Sequence, residues 1–166
     1  MPDRDGVDEI VEQWRRERPE LDTTAMAVFG RIYRAAKRVG DAQEQAYAEF
    51  GITRADFDVL ATLRRAGTPD GMSPGRLTSA LMLTSGGMTS RLDRLERAGL
   101  VARRPDPEDR RALLVTLTPA GRELIDRAVV AGLEVQQRLL GDLSADKQRR
   151  VDDLLRELLS SVERHA

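Results

Sequence analysis

The segment from Ser73 to Thr118 restricts the fold more than any other part of this 166-residue chain. Ser73 followed by Pro74 is a helix-start signal: a side-chain oxygen to cap, then a proline whose missing N–H costs nothing in a first turn. PGRLTSALML then reads as one short helix, and Thr84 or Ser85 caps a second, SGGMTSRLDRLERAG. In that second helix Met88, Leu92 and Leu95 fall at helical spacing and turn inward, leaving Ser85, Thr89, Ser90, Arg91 and Arg94 outward. Two short helices so closely joined resemble a helix-turn-helix, although helical hairpins of other kinds are common.

The residues after the second helix narrow the choice. LVARR and ALLVTLT read as two short alternating strands joined by the polar turn PDPEDRR, with Leu113, Val115 and Leu117 expected to face the core. A helix-turn-helix followed by a hairpin with arginines at its tip is the sequence order of a winged helix. In that fold the second helix reads a major groove and the wing reaches an adjacent minor groove. The negative potential of a narrow minor groove favours arginine there, and Arg110 and Arg111 are suitably placed; a solvated turn is the plainer reading of the same two residues.

The flanks read as helix. Val7, Ile10, Val11 and Trp14 give a short amphipathic helix that Pro19 stops. Asp22, Thr23 or Thr24 then caps a longer one carrying Met26, Phe29, Ile32, Tyr33, Ala36 and Val39, expected to run to about residue 50. A third spans ITRADFDVLATLRRAG, capped by Thr53 and ended by Gly67, before a turn at TPDGM. After Thr118-Pro119, a helix with Leu124, Ile125, Ala128, Val129, Leu133 and Leu140 is followed by another, opened by Ser144. Its stripe of Val151, Leu154, Leu155, Leu158, Leu159 and Val162 is too continuous for a solvated terminal helix, and a second copy of the chain is the simplest surface to cover it.

Composition excludes other classes. With no cysteine and a single histidine, His165, the chain offers no thiolate metal site, disulfide or thiol redox sensor, so neither metal nor cofactor is expected. Ser85-Gly86-Gly87 lacks the context of a nucleophile turn and no phosphate-binding loop signature occurs, so an enzyme is not expected. No run approaches the roughly 18 apolar residues of a membrane span, and the opening residues lack a signal-peptide order, so the expectation is a cytoplasmic address with no membrane partner. The formal net charge is only −1, but Met1–Ala25 holds eight acids against four arginines while Ser85–Arg111 holds seven arginines against five acids. The basic surface is local to the second helix and the hairpin.

The string SGGMTSRLDRLERAGLVARRPDPEDRRALLVTLTPAG resembles the recognition helix, wing and wing-to-helix joint of the MarR-type regulators, and the likeness runs from about Thr24 to the end. It implies a DNA-facing set of Ser73, Thr84, Ser85, Gly87, Thr89, Ser90, Arg94, Arg110 and Arg111. Asp109 would hold Arg111 by a charge-assisted bond that presents the wing to DNA, unless the two are a mere surface pair. A narrower likeness, carried by WRRERPELDTTAMAVFGRI with FDVLATL, SGGMTSRLDRLE and LVARR, is to the urate-responsive branch of that family. Its ligand constellation would fall on Trp14, Asp58, Arg91 and Arg103. An aromatic wall and arginine donors suit a planar anion, and Asp58 would pair with an arginine when no ligand is bound. Plainer readings stay open: packing for Trp14, a structural pair or cap for Asp58, phosphate contacts for Arg91 and Arg103.

The expectation is therefore a mainly α chain with a small β-hairpin wing, a winged helix-turn-helix lobe joined to a helical dimerisation lobe. Residues 1–50 would supply the extra N-terminal helix and a long dimerisation helix, 51–118 the DNA-binding lobe and 119–166 further dimerisation helices. It would act as a homodimeric regulator, expected to be a repressor, on a palindromic operator of double-stranded DNA. A small anion, urate or a related purine, would release it. A tricarboxylate or a phenolic effector could take the ligand's place, and a winged-helix module that binds protein rather than DNA is the alternative class.

Overall fold

A computed structural model of the chain describes residues 4–68, 70–81, 87–107 and 112–165. Seven helices and two strands follow one another among them: α1 (Gly6–Glu17), α2 (Thr24–Ala48), α3 (Arg54–Ala66), α4 (Pro74–Ala80), α5 (Met88–Arg97), β1 (Val101–Pro105), β2 (Leu113–Leu117), α6 (Pro119–Leu140) and α7 (Ala145–His165). They divide into two compact units, residues 1–43 and 44–166.

In the first unit α1 starts at a capping box: Asp5 accepts from the Val7 and Asp8 amides, and the Asp8 carboxylate accepts from the Asp5 amide. Val7 and Val11 are buried, whereas Ile10 and Trp14 of the expected stripe are each about two-fifths exposed. Val7 lies against Gly30 of α2, where an added Cβ would come within 3.1 Å of it. Arg31 of α2 ties the two helices together through Asp5, at 2.8 Å, and Asp8, at 2.6 Å. The last turn of α2, with Tyr47, belongs to the second unit; α2 ends at Ala48, a little before the expected boundary.

The second unit has one core. Tyr47, Val59, Leu60, Leu77, Leu92, Leu95, Val101, Val115, Ile125 and Ala128 come together in it, drawn from α2 to α6 and from both strands. Local chemistry sets the frame: Thr53 and Ser73 cap α3 and α4 as expected, Thr118 caps α6, and Gly67 ends α3 at φ +62°, a left-handed conformation that favours glycine. The strands pair antiparallel from Val101 opposite Leu117 to Pro105 opposite Leu113. A third segment joins them at one point: the Met72 amide donates to the Val115 carbonyl at 3.0 Å, and the Val115 amide donates back at 2.8 Å.

Leu113 corrects the expected alternation. Val115 is fully buried and Leu117 partly so, but Leu113 is 46% exposed. The register sets it opposite Pro105, at the end of the ladder farthest from buried Val101, beyond the body that covers Val115. The α7 stripe is uncovered: no residue of that helix is buried, and Leu154 and Leu159 are about three-fifths exposed.

Candidate functional site

The site is built on α5. Met88, Leu92 and Leu95 pin one face of this ten-residue helix into the core, which leaves Thr89 and Ser90 exposed in its first turn. Its N-cap, Gly87, has φ +90° and offers no side-chain cap, so the first amides of α5 have no side-chain acceptor there. The expected cap residues Thr84 and Ser85 lie outside the described residues, as do Asp109, Arg110 and Arg111 of the hairpin tip. Ser73 accepts from the Arg76 amide as the cap of α4.

Two ion-pair systems fix α5, and the sequence reading anticipates neither. On one side Asp56 of α3, only 3% exposed, receives the Arg94 guanidinium at 2.5 Å. The other oxygen of Asp56 accepts from both the amide and the hydroxyl of Thr53, so this carboxylate serves α3 as a cap and α5 as an anchor. On the other side Arg103 of β1 donates to Asp93 at 2.6 Å and to Glu96 at 3.0 Å, and its amide donates to Glu96 as well. Arg94 and Arg103, expected to face DNA and ligand respectively, thus both have protein carboxylates as partners.

Arg91 is different. It is half-buried on α5, its amide donates to the Gly87 carbonyl at 3.0 Å, and among the described residues its guanidinium makes no hydrogen bond or ion pair. It lines a cleft of about 390 Å³ with Arg54 and Arg94, together with Glu44, Thr53, Ala55, Gly87 and Ser90. Glu44 accepts from the Arg54 amide at 2.8 Å, which leaves the Arg54 guanidinium to the cleft. With Arg94 already paired to Asp56, Arg54 and Arg91 against Glu44 leave the wall a single positive excess.

Asp58, one turn beyond Arg54, stands within electrostatic reach of this cluster without touching it. Burial pushes its carboxyl above the usual range, and Arg54, Arg91 and Arg65 pull the other way. Its charge also bears on Tyr47, whose hydroxyl is pushed up to about 12, chiefly by burial. The expected pairing of Asp58 with an arginine is thus a field interaction rather than a contact. Of the four expected ligand residues, Asp58 and Arg91 come together, Arg103 is turned to the acids of α5, and Trp14 lies on α1 in the other unit, 41% exposed.

Asp56 had a legible half. Thr53-x-x-Asp56 is the capping-box pattern, readable from sequence, but its bond to Arg94 spans 38 positions and needed the fold. Asp93 and Glu96 carried a similar signal, two acids three apart on one helix face with an arginine in the next strand. Among the described residues no group of three or more His, Cys, Asp or Glu could hold a metal ion, and no helix is long and apolar enough to cross a membrane.

Two helices followed by an antiparallel hairpin, with α5 pinned between α3 and β1, define a winged-helix protein. Residues 50–112 match the MarR family, and the chain is 40% identical over 159 residues to the HTH-type transcriptional regulator PecS of Dickeya dadantii, covering 96% of this chain and 93% of the relative. The chain belongs to the MarR family, whose members are transcription regulators and not enzymes. Among solved structures, a mutant MarR from E. coli complexed with operator DNA is similar at TM-score 0.71 and 29% identity, covering 82% of this chain and 97% of that one. BpsR of Bordetella bronchiseptica, whose DNA binding is regulated by 6-hydroxynicotinic acid, is similar at TM-score 0.69 and 30% identity, covering 79% of this chain and 91% of that one.

Proposed function

We propose that this chain binds a palindromic operator as a homodimer, represses from it, and is released by a small planar anion, with urate or a related purine as the first candidate. The observation that carries the reading is α5: buried on one side through Met88, Leu92 and Leu95, it presents Thr89 and Ser90 beside a hairpin pinned to it by Arg103. Such a helix can enter a major groove while the hairpin follows the backbone. Residues 51–118 are then the DNA-binding lobe, with Ser73, Thr84, Ser85, Gly87, Arg110 and Arg111 at the contact surface, Arg94 on the DNA-facing helix but paired to Asp56, and Asp109 orienting the tip.

Residues 1–50 and 119–166 supply the dimer. The exposed leucines of α7 support this, because a stripe of that length is stable in water only when covered. Two-fold symmetry would set the α5 helices about 34 Å apart, one turn of DNA.

The ligand reading rests on the cationic cleft. A planar anion there takes hydrogen bonds from Arg91 and Arg54 and neutralises the charge that Asp58 only partly offsets. Trp14 and Arg103 complete the constellation in the urate-responsive branch that the sequence resembles. Because Arg91 belongs to α5, a ligand that draws it inward displaces the helix that meets DNA. Coupling of about 1–3 kcal/mol is enough for regulation.

The test is a fluorescence-anisotropy titration against DNA duplexes selected by the protein from a random pool, at two salt concentrations, with and without urate. Tight, salt-sensitive binding weakened by urate is expected, and Arg91→Gln should retain DNA affinity while losing the urate response. Binding indifferent to urate and other planar anions overturns the ligand assignment. No binding to any duplex overturns DNA recognition and leaves the protein-binding module.

A further inference from the structure

We infer that the Asp56–Arg94 pair is the pivot on which α5 is positioned, which makes Asp56 a positioning residue for DNA recognition although it meets no DNA itself. The inference rests on the reading of α5 as the DNA-facing helix. Asp56 is 3% exposed, so its charge depends on the donors around it: the Thr53 amide at 3.1 Å, the Thr53 hydroxyl at 2.7 Å and Arg94 at 2.5 Å. A buried carboxylate that shares its oxygens between the first turn of one helix and the arginine of another has little freedom to exchange partners. Unlike an exposed pair, it fixes a distance.

The rest of α5 shows why the pivot lies here. On either side of Arg94, Asp93 and Glu96 are held by Arg103, so the C-terminal half of the helix is fixed to β1 as well. Before it, the Arg91 guanidinium has no hydrogen bond or ion pair among the described residues, and Gly87 gives the first turn no side-chain cap. Among the described residues, the side chains of α5 are therefore anchored by ion pairs from Asp93 onward and by the packing of Met88 and Leu92 toward the N-terminus. A force on Arg91 turns the first turn, with Thr89 and Ser90, about the Arg94 anchor. The half-exposed Arg94 contributes by holding α5 to α3, and its charge toward DNA is secondary.

The test compares wild type, Asp56→Asn, Arg94→Gln and the double variant on a duplex selected from a random pool and on a shuffled duplex of equal composition. Asparagine keeps an acceptor for Thr53, so α3 retains its cap; if that variant does not fold, Arg94→Lys and Arg94→Gln serve as the pair. Each single variant should lose at least about tenfold on the selected duplex, and the double no more than the worse single, because both remove one interaction. Loss on the shuffled duplex should stay within about threefold, since a positioning group supplies no phosphate contact. Equal losses on both duplexes would make Arg94 a phosphate contact and overturn the pivot; additive losses would overturn it too. So would a lowered melting temperature with unchanged affinity, which is what a purely structural pair gives. If wild type selects no duplex at all, the DNA-binding reading itself fails.

Discussion

The Arg103 guanidinium lies 2.6 Å from the Asp93 carboxylate, so the first strand of the hairpin and the helix before it share a charge-assisted bond. Glu96 adds a second at 3.0 Å. Replacing Arg103 by Gln leaves Asp93 and Glu96 adjacent on one helix face with no cation between them. The pairs are partly solvated, so the expected loss of stability is about 1 kcal/mol, read as a lower melting temperature. The difference from wild type should shrink in high salt, which screens the bonds in one chain and the repulsion in the other.

Asp58 and Asp126 should respond to pH with opposite signs. Burial raises Asp58 in the folded state, so the folded chain prefers it neutral. Stability is then penalised as pH rises from the ordinary value of 3.8 through the raised one, and the penalty is complete near neutrality. Asp58→Asn should therefore melt higher than wild type near pH 7, with the gap closing toward pH ~3. Asp126 is lowered by its hydrogen bond with Arg64, so its contribution is present above the ordinary value and is lost as pH falls through the lowered one. Arg64→Gln should cost stability near neutral pH and little in acid. Melting curves of both variants across that range check the two signs, and parallel curves would contradict them.

An α7 variant tests the dimer directly. Leu154→Glu with Leu159→Glu sets two charges in the middle of the exposed stripe, where neither side chain supports the fold of its own chain. Sedimentation velocity should show a folded monomer where wild type is a dimer. Affinity for a palindromic duplex should fall far more than affinity for a single half-site.

Gly121 should tolerate no side chain. It lies in the first turn of α6, and a Cβ there would come 1.9 Å from the Leu100 carbonyl oxygen, a backbone atom held by the Thr118 amide at 3.1 Å. Relief requires moving α6 away from the start of β1. Gly121→Ala is expected to cost about 3 kcal/mol, lowering the melting temperature by roughly 10 °C in a chain of this size.

What the sequence made legible was whatever is decided within a few residues. Thr53, Ser73, Thr118 and Gly67 act at the positions their chemistry indicates, because a cap or a left-handed turn is a local contract between a side chain and the next amides. Met88, Leu92 and Leu95 turned inward for the same reason of period. Partnerships across the fold were not legible. Arg94 looked free for DNA because nothing near it in sequence marks Asp56 as its partner, and Arg103 looked free for ligand although its acids were only seven and ten residues away. Alternation placed Leu113 inside because it carries no information about where a hairpin leaves the body that covers it. Asp58 and Arg91 interact through space rather than as the expected pair, and their separation is a matter of helix placement that residue types cannot give.

The single exchange of hydrogen bonds between Met72 and Val115 makes the hairpin and the turn before α4 one mechanical part. Val115 stands opposite Arg103 in the ladder but gives both its amide and its carbonyl to Met72, and Gly71 is the residue that lets the chain come so close, since a Cβ there would lie 2.3 Å from the Val115 carbonyl oxygen. A tug on the wing therefore travels along a backbone tether to the start of the helix-turn-helix without passing through α5. The hairpin is thus joined to the start of α4 by backbone and to α5 by side chains.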